Sequence, residues 1–169
     1  MVNAGDLVRA TDIPALTTYI IKAAAESVTS SMTLQDDDDI VWSLEASKVY
    51  KVELHAGVTG ATGGDVKLAW AVTGGAAIFG TRSCVGPAVT VTDATDTNVR
   101  STRQALTTAV PYGTDGTNTS SVRETFIIET TTAGTAGTLK LQWAQNASSG
   151  TATTLTTSTM CFLTEIEAA

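Results

Sequence analysis

Histidine and cysteine are scarce in this chain of 169 residues, and each scarcity excludes something. One histidine and two cysteines cannot supply the several Cys or His ligands that a zinc-type site requires. The lone His55 alternates with Lys51 and Glu53 on what reads as a solvated strand face. Nothing in the sequence places a hydroxyl or thiol beside it with a third group to orient the pair, so no catalytic residue is expected and the chain does not read as an enzyme. Cys84 and Cys161 lie far apart without a CxxC spacing. Two buried free thiols in a protein made in a reducing cytoplasm are expected, with a single Cys84–Cys161 bridge as the alternative. Charged residues are only 16% of the chain, and ten Lys and Arg against seventeen Asp and Glu leave a net charge of −7. The cations are scattered, so a phosphate backbone is repelled and direct nucleic-acid binding is not expected. No apolar run approaches the ~20 residues that cross a bilayer, and no basic stretch followed by an apolar core opens the sequence. Neither a membrane partner nor general secretion is expected. "VTGATGGDVK" lacks the GK[ST] ending of a phosphate loop, and no helix follows "AVTGGAAIFG", so no cofactor is expected either.

Threonine is what the chain has in excess, at about one residue in five, and its β-branched side chain suits a half-buried pleated surface. Period-2 alternation is clear in three stretches. "KVYKVELHA" sends Tyr50, Val52 and Leu54 one way, "DVKLAWAV" sends Leu68 and Trp70, and "TLKLQWAQ" sends Leu139, Leu141 and Trp143. A last strand, "STMCFLTEI", puts Met160, Phe162 and Ile166 on one face, and Phe162 is assigned to the core with the others. "SVRETFIIE" is imperfect, because Glu124 falls on the Val122, Phe126 and Ile128 face. Clusters of Gly, Asn, Asp and Pro separate the strands and supply turn conformations. Eight to ten short strands without crossover helices predict an all-β fold, an antiparallel jelly-roll-like β-sandwich, over residues 28–169. Residues 1–27 read as an N-terminal arm, partly extended. Leu16, Tyr19, Ile20 and Ala23 recur at helical spacing, which predicts a short helix there.

One stretch invites a metal reading. "LQDDDDIVW" sets Asp36, Asp37, Asp38 and Asp39 side by side before a strand. Calcium takes six to eight oxygens from a loop that curls around the ion. Four adjacent aspartates point in different directions, so a solvated acidic turn is expected, with a surface calcium site shared with another loop or subunit as the minor alternative.

The same stretch carries a resemblance. "AAESVTSSMTLQDDDDIVWSLEASKVYKVELHAGVTGATGGDVKLAWAV" and the closing "GTLKLQWAQNASSGTATTLTTSTMCFLTEIE" resemble, in the same order, a module of structural proteins from tailed phages of actinobacteria. The resemblance spans about residues 24–167. The ending "MCFLTEIE" departs from the basic last strand usual in that group. The resemblance implies a trimeric β-sandwich on the virion, either as a capsid decoration protein or as a minor tail protein binding the host surface through a groove, for example near Tyr112. The single module favours decoration, with homotrimers at local threefold positions on the outer capsid surface and the major capsid protein as partner. In the 1–27 arm, Leu7, Ile13, Pro14 and Tyr19 are the expected apolar capsid contacts and Arg9 the polar one.

Overall fold

The computed structural model describes residues 17–74, 76–90, 99–130 and 136–166. Its elements are all strands: β1 (Thr17–Ile21), β2 (Glu26–Val28), β3 (Gln35–Leu44), β4 (Val49–Thr59), β5 (Val66–Gly74), β6 (Ala76–Pro87), β7 (Val99–Gln104), β8 (Val110–Tyr112), β9 (Ser120–Thr130), β10 (Gly137–Ala144), β11 (Thr153–Leu155) and β12 (Met160–Ile166). Twelve strands exceed the expected eight to ten because β2, β8 and β11 are three-residue pieces too short to show alternation.

Two antiparallel sheets make the sandwich. The larger runs β1-β12-β4-β9-β6-β7, with β11 pairing β2 and β4, and the smaller runs β3-β10-β5-β8. The strands whose alternation is clearest in sequence lie mid-sheet, where one face must be apolar: β4 between β12 and β9, β5 between β10 and β8, and β10 between β3 and β5. Tyr50, Val52, Leu54, Leu68, Trp70, Leu139, Leu141 and Trp143 all point into the shared core and are buried. Trp70 packs edge-on against Phe126, with ring centroids 5.1 Å apart, a favoured aromatic geometry.

Register fixes which residues share the core row. Ile20, Cys161, Leu54, Glu124, Cys84 and Thr102 stand opposite one another across six strands. Cys84 and Cys161 are both free and buried, and three strand spacings separate them, roughly 14 Å, against the ~7 Å Cα limit for a bridge. The disulfide alternative therefore fails on geometry. Burial pushes the Cys161 thiol up to about 12, and burial together with Glu124 raises that of Cys84.

Two expectations need correction. In β12 the inward residues are Cys161 and Leu163, so Phe162 lies half-buried on the outward face beside Tyr19 and His55, at centroid distances of 6.3 and 5.9 Å. The helical spacing near Tyr19 belongs instead to a strand. Thr17–Ile21 is β-branched or aromatic at every position and gains a full antiparallel partner in β12. Leu7, Arg9, Ile13 and Pro14 lie outside the described residues.

Candidate functional site: the acidic joint at the start of β3

The four aspartates are not a turn. They lie inside β3, in a bulge where β10 advances two residues, from Lys140 to Gln142, while β3 advances five, from Asp36 to Val41. The bulge turns neighbouring side chains in different directions. Asp38 is exposed, Asp37 is only 1% exposed, and Asp36 stays on the outer face.

Asp37 is the centre of the joint. Its Oδ1 accepts backbone N–H bonds from Asp39 at 3.0 Å and Ile40 at 2.7 Å, which holds the bulge in shape. Its Oδ2 accepts from Lys22 Nζ at 2.8 Å. Lys22 follows β1 directly, and its backbone N–H donates to Thr159 O, which fixes where the side chain enters. The same ammonium bonds Glu26 and reaches Asp39 Oδ2 at 3.4 Å. Glu26 accepts the Asp38 N–H and Asp39 accepts the Ala23 N–H. Burial alone lowers the Lys22 pKa, but the hydrogen bonds it donates to Asp37 and Glu26 outweigh it and hold the ammonium above its ordinary value.

Carboxylate oxygens of Glu26, Asp37 and Asp39 lie within 4.8 Å of one another, a spacing that a divalent cation could bridge. The charge at their centre is the Lys22 ammonium. Of the four aspartates weighed as metal ligands, the structure gathers only Asp37 and Asp39. Asp38 points to solvent, and Asp36 accepts from Lys140 Nζ at 2.9 Å and Gln142 Nε2 at 2.8 Å, which together hold its carboxyl below the usual range.

The partner of this stretch is the "LQWAQN" motif. Gln142 bonds Asp36, and Trp143 stands opposite Gln35. Gln145, fully buried, accepts the N–H of Ser31 and of Ser149 and donates to Thr151 O at 2.8 Å. Two stretches a hundred residues apart are thus one hydrogen-bonded joint. Sequence reasoning misses Lys22 and Glu26, which lie in the stretch read as an arm without a pattern to flag them.

A second buried ionic group lies between the sheets. Glu124 accepts from Trp70 Nε1 at 2.7 Å and Tyr112 Oη at 2.6 Å, and Arg82 Nη1 stands 3.4 Å away. Arg82 also donates to Leu106 O and Thr108 O, so the loop after β7 is tied to the core. Burial first, and Glu124 second, push the Tyr112 hydroxyl far above its ordinary range. Tyr112 is thus wholly internal and its own ring lines no exposed surface. The signal for this group was on view in the sequence, as the one charge on an apolar strand face.

Neither cluster offers an activated nucleophile. His55 packs edge-on against Phe162, and both thiols are buried with raised pKa values. The fold and its two clusters define an antiparallel β-sandwich braced by internal ion pairs. No protein-family model matches the sequence, and no curated protein matches it. Among solved structures the chain is similar to a tripod protein from the baseplate of bacteriophage Tuc2009, at 12% identity and a TM-score of 0.39 over 97% of this chain and 72% of that one. It is also similar to a chain of the infectious bursal disease virus Gt strain, at 12% identity and 0.25 over 98% and 46% of the two chains. A third likeness is to the VP2 subviral particle of the same virus, at 9% identity and 0.24 over 90% and 41%. No helix among the described residues is long and apolar enough to cross a membrane.

Proposed function

We propose that this protein is a structural component of a tailed-phage virion: a decoration protein on the outer capsid surface, trimeric at local threefold positions, with the major capsid protein as partner. It catalyses nothing. The observation that carries the reading is the resemblance over residues 24–167. The two motifs that define it meet in the joint of Asp36 with Gln142 and Gln145 with Ser31, so they act as one structural unit. Binding is mechanical: area buried across several capsid subunits by three copies at once ties those subunits together, with avidity from the linked contacts. A net charge of −7 keeps many closely spaced copies soluble.

Copy number per particle and location test the reading. Hundreds of copies in density of intact heads, removable without loss of adsorption, is the expected result. A handful of copies confined to purified tails overturns it in favour of a tail-tip role. Anchoring by the start of the chain is tested by truncation before Thr17, because residues 17–28 already pair into the larger sheet. Unchanged binding to undecorated heads removes the anchoring idea.

A further inference from the structure

Strands at sheet edges invite pairing with other chains, and proteins blunt them with charge, proline, bulges or brevity. Most edges here are blunted. β3 carries the aspartates and the bulge, β7 carries Arg100 and Arg103, β8 is three residues with Pro111 at its centre, and β2 is three residues beginning at Glu26. β1 is the exception. "TTYII" has no charge and no proline, pairs with β12 without a register shift, and among the described residues has no strand on its other side. Tyr19 and Ile21 are 64% and 52% exposed on its outward face.

A cleft of about 240 Å³ opens beside this edge. Thr18 of β1 contributes to its wall, with Trp42, Tyr50, Glu45, Glu165 and Leu163 around it. Its lining carboxylates are Glu45 and Glu165; Lys48 beside the cleft pairs with Glu165 and also feels the charge of Glu45, which leaves two carboxylates sharing one cation.

We propose that β1 takes an extended segment of a partner protein by strand addition, and that a Lys or Arg side chain of this segment enters the Trp42–Glu45–Glu165 cleft. A strand added at the usual spacing of about 4.8 Å from β1 sends alternate side chains inward beside Thr18 and outward beside Tyr19 and Ile21. Main-chain bonds then give affinity, and the cleft gives specificity. Carboxylates beside an indole and a phenol suit a cationic tip on an apolar stem, through charge and cation–π attraction. A second copy of β1 fits less well, since its inward residues, Thr18 and Ile20, offer nothing to the carboxylates. The site does not depend on whether the protein occupies head or tail.

The test uses the full-length protein and fluorescein-labelled peptides. The probe is acetyl-VTVRVTV-amide; the controls replace its Arg by Glu (VTVEVTV) or its inner valines by proline (VTPRPTV). Saturable binding of the probe, at least tenfold tighter than either control, is expected. Tyr19→Lys and Glu45→Lys, both at exposed positions, should each weaken it tenfold or more while the thermal midpoint moves by no more than about 4 °C, the share of the Tyr19–Phe162 pair. Absent or non-saturable binding, equal binding of the Arg and Glu peptides, or indifference to both substitutions overturns the proposal. Two further outcomes also overturn it by naming another occupant. One is displacement of the probe by a peptide of residues 1–16. The other is self-association, without peptide, that Tyr19→Lys abolishes.

Discussion

Replacing Lys22 by methionine keeps the length of the side chain and removes the charge that three carboxylates share. Asp37 is then a fully buried anion facing Glu26 and Asp39, whose oxygens lie within 4.8 Å. Breaking a buried pair by deleting one partner costs about 3–5 kcal/mol. Two features place this case at the lower end. Asp37 keeps its two backbone donors, from Asp39 and Ile40, and the Glu26 and Asp39 side chains retain 17% and 26% of their exposure. A loss of about 3 kcal/mol is expected, which for a domain of this size lowers the melting midpoint by about 6–12 °C. Adding Asp37→Asn to the variant should recover a good part of it. Asparagine Oδ1 still accepts both N–H bonds, while the uncompensated charge is gone. Urea unfolding at pH 7, followed by tryptophan fluorescence, reads both steps. A Lys22→Met loss under about 1 kcal/mol, or a double variant no more stable than the single one, refutes the assignment of Lys22 as the cluster's internal cation.

Three further outcomes follow from the same geometry. Because the folded-state pKa of Lys22 is raised above 10.5, its contribution is intact below that pH and fades as pH climbs through the folded value. The wild type should therefore lose stability above about pH 10.5 more steeply than Lys22→Met, as thermal midpoints against pH will show. Gln145→Ala strips partners from three backbone groups and should cost about 1–3 kcal/mol by chemical denaturation. Cys84 and Cys161, buried, with raised pKa values and too far apart to bridge, should resist a thiol reagent at pH 8 in the native state and both react in denaturant.

The sandwich was legible where a strand lies mid-sheet with one face on the core, because burial then writes a period of two into the sequence. β4, β5 and β10 are such strands. Periodicity says which residues share a face, not which face is inward, and Phe162 was misassigned for that reason. At β1 two periods coincide over a few residues, and the pairing partner, not the spacing, decides the conformation. The aspartates read as solvated because the compensating charge, Lys22, lies 15 residues away in sequence and comes near only through the pairing of β1 with β12. Glu124 broke an apolar alternation, a visible sign of a buried charge. Its partners Trp70, Arg82 and Tyr112 come from three other strands, so only the fold could name them.

The pairing of β1 with β12 and of β2 with β11 also sets an order of events during synthesis. Neither N-terminal strand has its partner until residues 153–166 have left the ribosome, so β1 and β2 wait for more than a hundred residues of intervening chain. Contacts of such long sequence separation place folding in the millisecond-to-second range typical of β-sandwiches. In the interval, the plain "TTYII" strand has no strand partner among the described residues. A premature stop anywhere in β12 therefore leaves more than a shortened sheet: it leaves an uncharged, unpaired strand with no means of retiring from solution, and aggregation rather than partial function is the natural fate of such a product.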